Sequence, residues 1–245
     1  MDCRLEICCG DIESVANASR GGADRIELCS ALELGGLTPS IGLVGQAVEL
    51  MEGKPVHVLI RPRGGDFVYT HREAKVMTAD MEAAIEAGAT GIVFGALDSQ
   101  GSIDLTLCGM VRERFPDVTF TFHRAFDLTP YPEKALREII AMGYDYLLTS
   151  GQSSDALHGA ERIARLVEQS KGRIRVMAGA GVTPDNIKMI LRKTGVADIH
   201  ASAKAPKANC PSEKAEVAMG SRPEDSYRQE TSQETVALLK TILSE

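Results

Sequence analysis

Two short phrases place a carboxylate and a thiol at the same spacing. Glu6-Ile7-Cys8 lies near the start of the chain, and Glu27-Leu28-Cys29 lies in the next predicted strand. Each phrase is typical of the end of a buried strand, in which residues two apart share a face. The acid and the thiol are therefore predicted to point to one side, with Ile7 and Leu28 facing covering helices. Because buried carboxylates rarely lack a partner, the repeat predicts a shared site.

The two thiols are a candidate metal site. On adjacent strands, Cys8 and Cys29 are expected at similar height, where a strand spacing of about 5 Å lets their sulfurs approach each other. Two soft thiolates suit Cu(I), whereas a structural zinc site requires four ligands. The alternative interpretation is two small buried residues, since free cysteine is among the most buried residue types.

Basic residues follow two other predicted strands. Arg61 and Arg63 come after the third strand, and Arg124 comes after the fifth. Planar guanidinium groups hold carboxylates and phosphates in a bidentate manner, so these residues predict an anion site. The alternative is an internal layer of ion pairs with Glu6 and Glu27, although buried pairs rarely stabilise a protein relative to apolar packing.

A glycine-rich turn follows the seventh predicted strand. In the sequence Gly179-Ala180-Gly181, the backbone N–H groups next to a helix could bind an anion, a frequent phosphate position in barrels. Gly179 and Gly181 are therefore added to the predicted anion site. The alternative is that these glycines only allow a tight turn.

Three residues are candidates for catalysis, although the sequence names neither a reaction nor a substrate. They are Glu27, Arg61 and His123. Histidine titrates nearest to neutrality and could act as a general acid or base. A hydrogen-bonded structural histidine at a strand end is the alternative for His123, and the same two interpretations apply to His200. Whether the protein is an enzyme stays open.

The elements that must position these residues alternate between short apolar strands and helical stretches. Eight such units in 245 residues, with no linker between them, predict an α/β fold, a single closed (β/α)8 barrel. An open doubly wound sheet is the main competitor, but its phosphate fingerprint does not occur in the first turn, Cys9-Gly10-Asp11. The predicted strands are Leu5–Cys9, Arg25–Leu28, Val56–Ile60, Gly91–Phe94, Val118–Phe122, Tyr146–Leu148, Ile174–Ala178 and Ala197–His200. Chemistry in such barrels gathers at the carboxyl ends of the strands.

One segment interrupts the alternation. Residues 203–232 are rich in Lys, Ser, Glu and Pro and have little periodicity, which predicts a long loop after the eighth strand. Within a single domain of residues 1–245, this loop would lie over the barrel mouth. A lid and a mobile insertion are both compatible with its composition.

Composition limits the functional classes. The net charge of −7, the absence of Trp and only 4% aromatic residues argue against nucleic-acid binding. No apolar run is long enough to predict a membrane span. The first residues enter a strand directly, without the apolar core of a signal peptide, and six Cys then predict reduced thiols in the cytoplasm.

Several segments resemble signatures of the copper homeostasis protein family CutC. They are Ile26-Glu27-Leu28-Cys29-Ser30, Arg61-Pro62-Arg63-Gly64-Gly65-Asp66-Phe67, Phe94-Gly95-Ala96-Leu97, Phe122-His123-Arg124-Ala125-Phe126-Asp127, Leu148-Thr149-Ser150-Gly151 and Ala218-Met219-Gly220. The resemblance implies a cytosolic (β/α)8 barrel, commonly a homo-oligomer, that handles copper. It also implies that Cys8 and Cys29 are ligands of Cu(I). One departure is Ala180, which replaces a glycine of the family pattern and is unfavourable if that position needs a positive φ.

Two functions therefore compete. The first is a copper-homeostasis protein that binds Cu(I) through Cys8 and Cys29. The alternative is a barrel enzyme or binding protein for a small anionic carboxylate or phosphate, because a copper carrier needs thiols but not the arginines and histidine of the predicted mouth. A third hypothesis, an oligomeric scaffold without chemistry, predicts that the mouth residues pair among themselves and leave no cavity.

Overall fold

The computed structural model describes residues 3–208 and 227–244. In this part of the chain, eight parallel strands pair in sequence order and close into a barrel, which confirms the predicted (β/α)8 architecture. The strands are β1 (Arg4–Cys9), β2 (Arg25–Leu28), β3 (Val56–Leu59), β4 (Gly91–Val93), β5 (Thr119–Phe122), β6 (Tyr146–Thr149), β7 (Arg175–Ala178) and β8 (Asp198–Ala201).

Helices follow the strands and cover the barrel. They are α1 (Ile12–Arg20), α2 (Ile41–Leu50), α3 (His71–Glu86), α4 (Leu105–Arg114), α5 (Pro132–Ala141), α6 (Ala160–Ser170), α7 (Ile187–Thr194) and α8 (Gln233–Ser244). Residues at the start of each of two helices explain where that helix begins. The Asp11 carboxylate accepts the Ser14 N–H and caps α1, and Pro132 occupies the first turn of α5, where its missing N–H costs little.

The two faces of each strand bury different kinds of side chain. Ile7 and Cys9 belong to the main apolar core between barrel and helices. Cys8 and Cys29 belong to a separate small cluster with Leu59. The period of two residues along a strand therefore places Cys8 and its neighbour Cys9 on opposite sides, as predicted.

Strand β1 closes the barrel by pairing with both β2 and β8. In this register Glu6 lies opposite Arg25 on one side and opposite His200 on the other, while Cys8 lies opposite Glu27. Neighbouring strands of a closed barrel are staggered because they tilt against its axis. As a result, the two Glu-x-Cys phrases are not level with each other. They are offset by two residues, so that Cys8 of the first lies opposite Glu27 of the second.

The segment after β8 differs from the predicted loop. Strand β9 (Lys204–Ala208) pairs antiparallel with β10 (Tyr227–Thr231) in a separate two-stranded sheet. Polar strands of this length carry no apolar alternation, which is why the composition indicated a loop. Residues 209–226, the rest of the predicted lid or insertion, lie outside the described residues. No helix in the part of the chain that the structure describes has the length and hydropathy needed to cross a membrane.

Candidate metal centre and cavity at the barrel mouth

A buried carboxylate is held between two basic side chains at the closure of the barrel. The Nε of Arg25 donates to Glu6 Oε2 over 2.5 Å, and the Nδ1 of His200 lies 2.7 Å from Glu6 Oε1. Burial alone would raise the pKa of Glu6, but the charges of Arg25 and His200 hold it below the ordinary value. Glu6 is therefore an ionised member of a fully paired network.

The two sulfurs of the Glu-x-Cys phrases meet inside the barrel. Cys8 Sγ lies 3.6 Å from Cys29 Sγ and donates to Glu27 Oε1 over 3.4 Å. All three side chains are buried. The hydrogen bond with Cys29, burial and the nearby Glu27 carboxylate raise the pKa of the Cys8 thiol well above its ordinary value, so this thiol is protonated when no cation binds it.

His200 adds a nitrogen to the same cluster. Cys8, Glu27 and His200 each offer one potential ligand atom, and these three atoms all lie within 4.8 Å of one another. Burial lowers the pKa of His200, but Glu27, Cys8 and Glu6 together raise it well above the ordinary value. Burial also raises the pKa of Glu27, whose Oε2 has no hydrogen-bond partner among the described residues. The cluster therefore offers soft sulfur, imidazole and carboxylate ligands whose protons a bound cation would displace.

The predicted arrangement of this cluster needs correction. The sequence predicts the thiols at similar height, and its alternative interpretation puts Glu6 and Glu27 in one layer of ion pairs with the arginines after β3 and β5. The register instead puts Glu6 level with Arg25 and His200, and Glu27 level with Cys8. The reason is the stagger between tilted strands, which shifts β2 by two residues relative to β1. The sulfurs still meet, because Cys29 lies only two residues beyond Glu27, the residue opposite Cys8.

Arg25 belongs to the Glu6 network, although no sequence pattern singled it out. Its guanidinium pairs with Glu6 and contacts the sulfur of Met177 at 3.3 Å. Arg25 shares the spacing of two residues with Glu27 and Cys29, which was the signal that could have identified it. It takes the place at the Glu6 carboxylate that had been given to the arginines after β3 and β5.

Arg61 is buried in the mouth without a carboxylate partner. Its Nη1 donates to the carbonyls of Leu34 and Gly36 over 2.8 and 3.0 Å, and its Nη2 donates to Gly65 O over 2.8 Å. Among residues 3–208 and 227–244, no acidic side chain lies within ion-pair distance of this guanidinium, and its buried Nε–H has no acceptor. The alternative interpretation, in which Arg61 pairs with Glu6 or Glu27, does not hold in the described structure.

His123 is a buried, neutral histidine. Its Nδ1 accepts the N–H of Ala125 over 3.2 Å, so the ring proton resides on Nε2, which has no partner among the described residues. Burial, with a smaller contribution from Arg61, lowers the pKa of His123 to about 3. A role as a base that titrates near neutrality is therefore replaced by that of a fixed N–H donor.

The other two predicted anion-binding arginines are already paired. Arg63 donates to Glu73 over 2.5 Å and to Asp66 over 3.0 Å, and it does not line the cavity described below. Arg124 lies on the rim, where it pairs with Asp127 over 2.9 Å. Arg63 pairs with the first turn of α3 and Arg124 with a residue three positions along the chain, and strand ends alone do not indicate either partner.

The turn after β7 confirms a backbone requirement that the sequence raised. Ala180 has φ of +80° and Gly181 has φ of +66°, both in the region that favours glycine. Gly179 has another reason to be glycine, because an added Cβ would lie 2.6 Å from Leu148 Cδ1. Gly179 therefore keeps space between β6 and β8, and Ala180 carries the backbone strain of the turn.

Replacing Ala180 by glycine is expected to raise the free energy of unfolding by about 1 kcal/mol, because glycine removes the left-handed strain. Urea denaturation followed by circular dichroism measures this difference. Ala83, inside α3, is the matched control, and Ala83→Gly is expected to lower stability by a similar amount. Equal destabilisation by both substitutions would contradict the prediction.

A cavity of about 540 Å³ connects these groups. Cys8, Glu27 and His200 line one part of it, and Arg61 and His123 line another. The apolar wall includes Leu32, Leu59, Phe67, Leu148, Val182 and Pro184. The scaffold hypothesis predicted a mouth without a cavity, and the structure contradicts it. This volume is in the range of sites for small molecules.

Comparison with known proteins agrees with the fold and the motifs. The sequence model of the CutC family matches residues 3–205. The human copper homeostasis protein cutC homolog is 48% identical over 203 residues, which cover 83% of this chain and 74% of that protein. A CutC protein of Agrobacterium fabrum is 45% identical over 241 residues, which cover 98% of this chain and 94% of that protein.

A solved structure extends the likeness to three dimensions. The crystal structure of CutC from Streptococcus agalactiae superposes with a TM-score of 0.78 at 32% identity, covering 82% of this chain and 98% of that chain. Barrel, motifs and sequence identity over most of the chain therefore agree, and the chain belongs to the CutC family.

Proposed function

We propose that this protein takes part in copper homeostasis by binding Cu(I) through Cys8 and Cys29. The observation that carries the proposal is the 3.6 Å separation of the two buried sulfurs, with Cys8 lining the cavity. Both thiols can then reach one ion, and soft thiolate ligands favour Cu(I). The human and Streptococcus agalactiae relatives are both named as copper homeostasis proteins.

The surrounding groups fit a cation in this position. Glu27 Oε2 is a buried acceptor that has no donor in the part of the chain that the structure describes, and a cation would satisfy it. His200 is oriented by the hydrogen bond between its Nδ1 and Glu6, which leaves Nε2 for the cation and is the usual arrangement for a ligating histidine. Binding would release the Cys8 proton into the cavity, so the affinity for the ion should increase with pH. As the family resemblance implies, we also expect a cytoplasmic homo-oligomer.

An anaerobic Cu(I) titration against a chromogenic chelator tests the proposal. The wild type should bind one Cu(I) per chain, and Cys8→Ser or Cys29→Ser should each weaken binding by more than about tenfold, the smallest effect that loss of a supporting group usually has. The matched control is Cys9→Ala, because Cys9 adjoins Cys8 but belongs to the outer core.

Three outcomes would contradict this function. The first is an unchanged affinity in both serine variants. The second is an equal loss in Cys9→Ala, which would indicate damage to the fold. The third is a protein that retains Zn(II) but loses Cu(I) to the chelator, which would assign the cluster to another metal.

A further inference from the structure

We infer that the barrel mouth also binds a small organic anion, at a subsite formed by Arg61, Phe67 and His123. This inference is independent of copper binding, because it depends on different side chains of the cavity. The anion would carry a carboxylate or a phosphate monoester on a short carbon skeleton. The inference derives from a charge balance, two unpartnered donors and the shape of the cavity.

Among residues 3–208 and 227–244, the charge balance leaves the buried Arg61 cation without a carboxylate partner. Glu6 neutralises Arg25 and contacts His200, and Glu27 lies beside His200. His123 is neutral, so it adds no charge to the mouth. Arg61 is 5% exposed, always protonated, and surrounded in the described structure by carbonyl oxygens rather than carboxylates. A buried full charge of this kind is costly unless an opposite charge compensates it.

Two buried N–H groups have no hydrogen-bond acceptor in the described structure. They are the Nε–H of Arg61 and the Nε2–H of His123, neither of which has a protein partner among the described residues. Phe67 connects the two side chains, because the Arg61 guanidinium stacks 4.8 Å from its ring centre and the His123 ring centre lies 4.9 Å away. Both side chains line the cavity, so a single ligand with several oxygens could accept from both after small side-chain rotations.

The cavity selects an organic anion over a bare ion. Its volume of about 540 Å³ far exceeds that of a phosphate, and its apolar wall of Leu59, Phe67 and Leu148 suits carbon atoms. The backbone next to His123 leaves room for its ring. An added Cβ at Gly95 would lie 2.9 Å from His123 Cε1 and Nδ1, so glycine at that position makes room for the ring. A neutral N–H donor beside a guanidinium gives anionic oxygens one uncharged and one charged hydrogen-bond donor.

Thermal unfolding with defined probes tests this subsite. The probes are glycerol 3-phosphate, malate and inorganic phosphate, with glycerol as the uncharged analogue and sodium chloride at matched ionic strength. At least one organic anion should raise the Tm of the wild type in a saturable manner, and more than inorganic phosphate does. Glycerol and chloride should give no such increase. A response to glycerol 3-phosphate would identify the charged group of the ligand as a phosphate ester, and a response to malate would identify it as a carboxylate.

Variants separate the subsite from the thiols. Arg61→Gln should weaken binding of the responding anion at least about tenfold, the effect of losing a charged hydrogen bond. Arg63→Gln is the matched control, because Arg63 lies in the same loop but is neutralised by Glu73 and Asp66. His123→Asn preserves an acceptor for the Ala125 N–H, removes Nε2–H and serves if Arg61→Gln does not fold.

Copper and anion binding should respond to different substitutions. Cys8→Ser should leave the anion response intact, and His123→Asn should leave the Cu(I) stoichiometry intact. The inference is overturned if no organic anion stabilises the wild type beyond the chloride control. It is also overturned if the folded Arg61 and His123 variants bind the responding anion as tightly as the wild type does.

Discussion

Replacing Glu6 by glutamine is expected to lower the free energy of unfolding by about 3–5 kcal/mol, the usual effect of removing one partner from a buried ion pair. Glu6 is 1% exposed and accepts from Arg25 and His200 at the same time. Glutamine keeps the shape but leaves the Arg25 charge without its counterion. Equilibrium denaturation in urea, with the slope checked for two-state behaviour, measures the change.

The comparison is with a surface pair and with a double variant. Glu82 contacts Arg114 in an exposed pair, so Glu82→Gln should cost less than about 1 kcal/mol. Combining Glu6→Gln with Arg25→Met removes both buried charges and should recover part of the stability. A loss in Glu6→Gln no larger than in Glu82→Gln would show that the Glu6 network does not stabilise the barrel.

The stability of the metal-free protein should decrease above neutral pH because of His200. Its pKa is about 6.5 in the unfolded chain and well above that value in the folded protein. A raised pKa gives stability that is complete below the unfolded value and is lost as pH rises through the folded value. The loss should begin above the unfolded value and continue until the folded value is passed, at no more than about 1.4 kcal/mol per pH unit for one proton.

His200→Gln isolates this effect from other titrating groups. The groups that face His200 are Glu6, Glu27 and Cys8, with Arg25 behind Glu6, and these remain in the variant. Denaturation curves at several pH values, with a chelator present, should show a flatter dependence in His200→Gln than in the wild type. Equal slopes in the two proteins would mean that His200 does not hold a proton in the folded state.

The sequence predicted the features that follow from local geometry. The alternation along a strand put Cys8 with Glu6 and put Cys9 on the other face, and both placements are present in the structure. The glycines on either side of Ala180 indicated that this position could need a positive φ, which the structure has. These features depend on residues a few positions apart, where backbone geometry leaves few alternatives.

The features that the sequence did not predict depend on how distant segments align. The stagger of β2 against β1 decides that Arg25, and not Arg61, meets Glu6. No local pattern encodes that offset, since it derives from closing the barrel. Arg63 was misplaced for a different reason, because its pairing with Glu73 depends on where α3 begins. Side-chain partners across elements thus needed the three-dimensional structure.

The closure of the barrel at β1 has a consequence for the order of folding. Glu6 and Arg25 are 19 residues apart, but Glu6 and His200 are 194 residues apart. Contacts of such long sequence separation form late, since the chain must first lose the entropy of a very long loop. During synthesis, Cys8 and Cys29 emerge early, whereas His200 can join them only when the last strand docks. A growing chain would therefore present two thiols without the imidazole, and the complete set of ligands would appear only in the finished barrel.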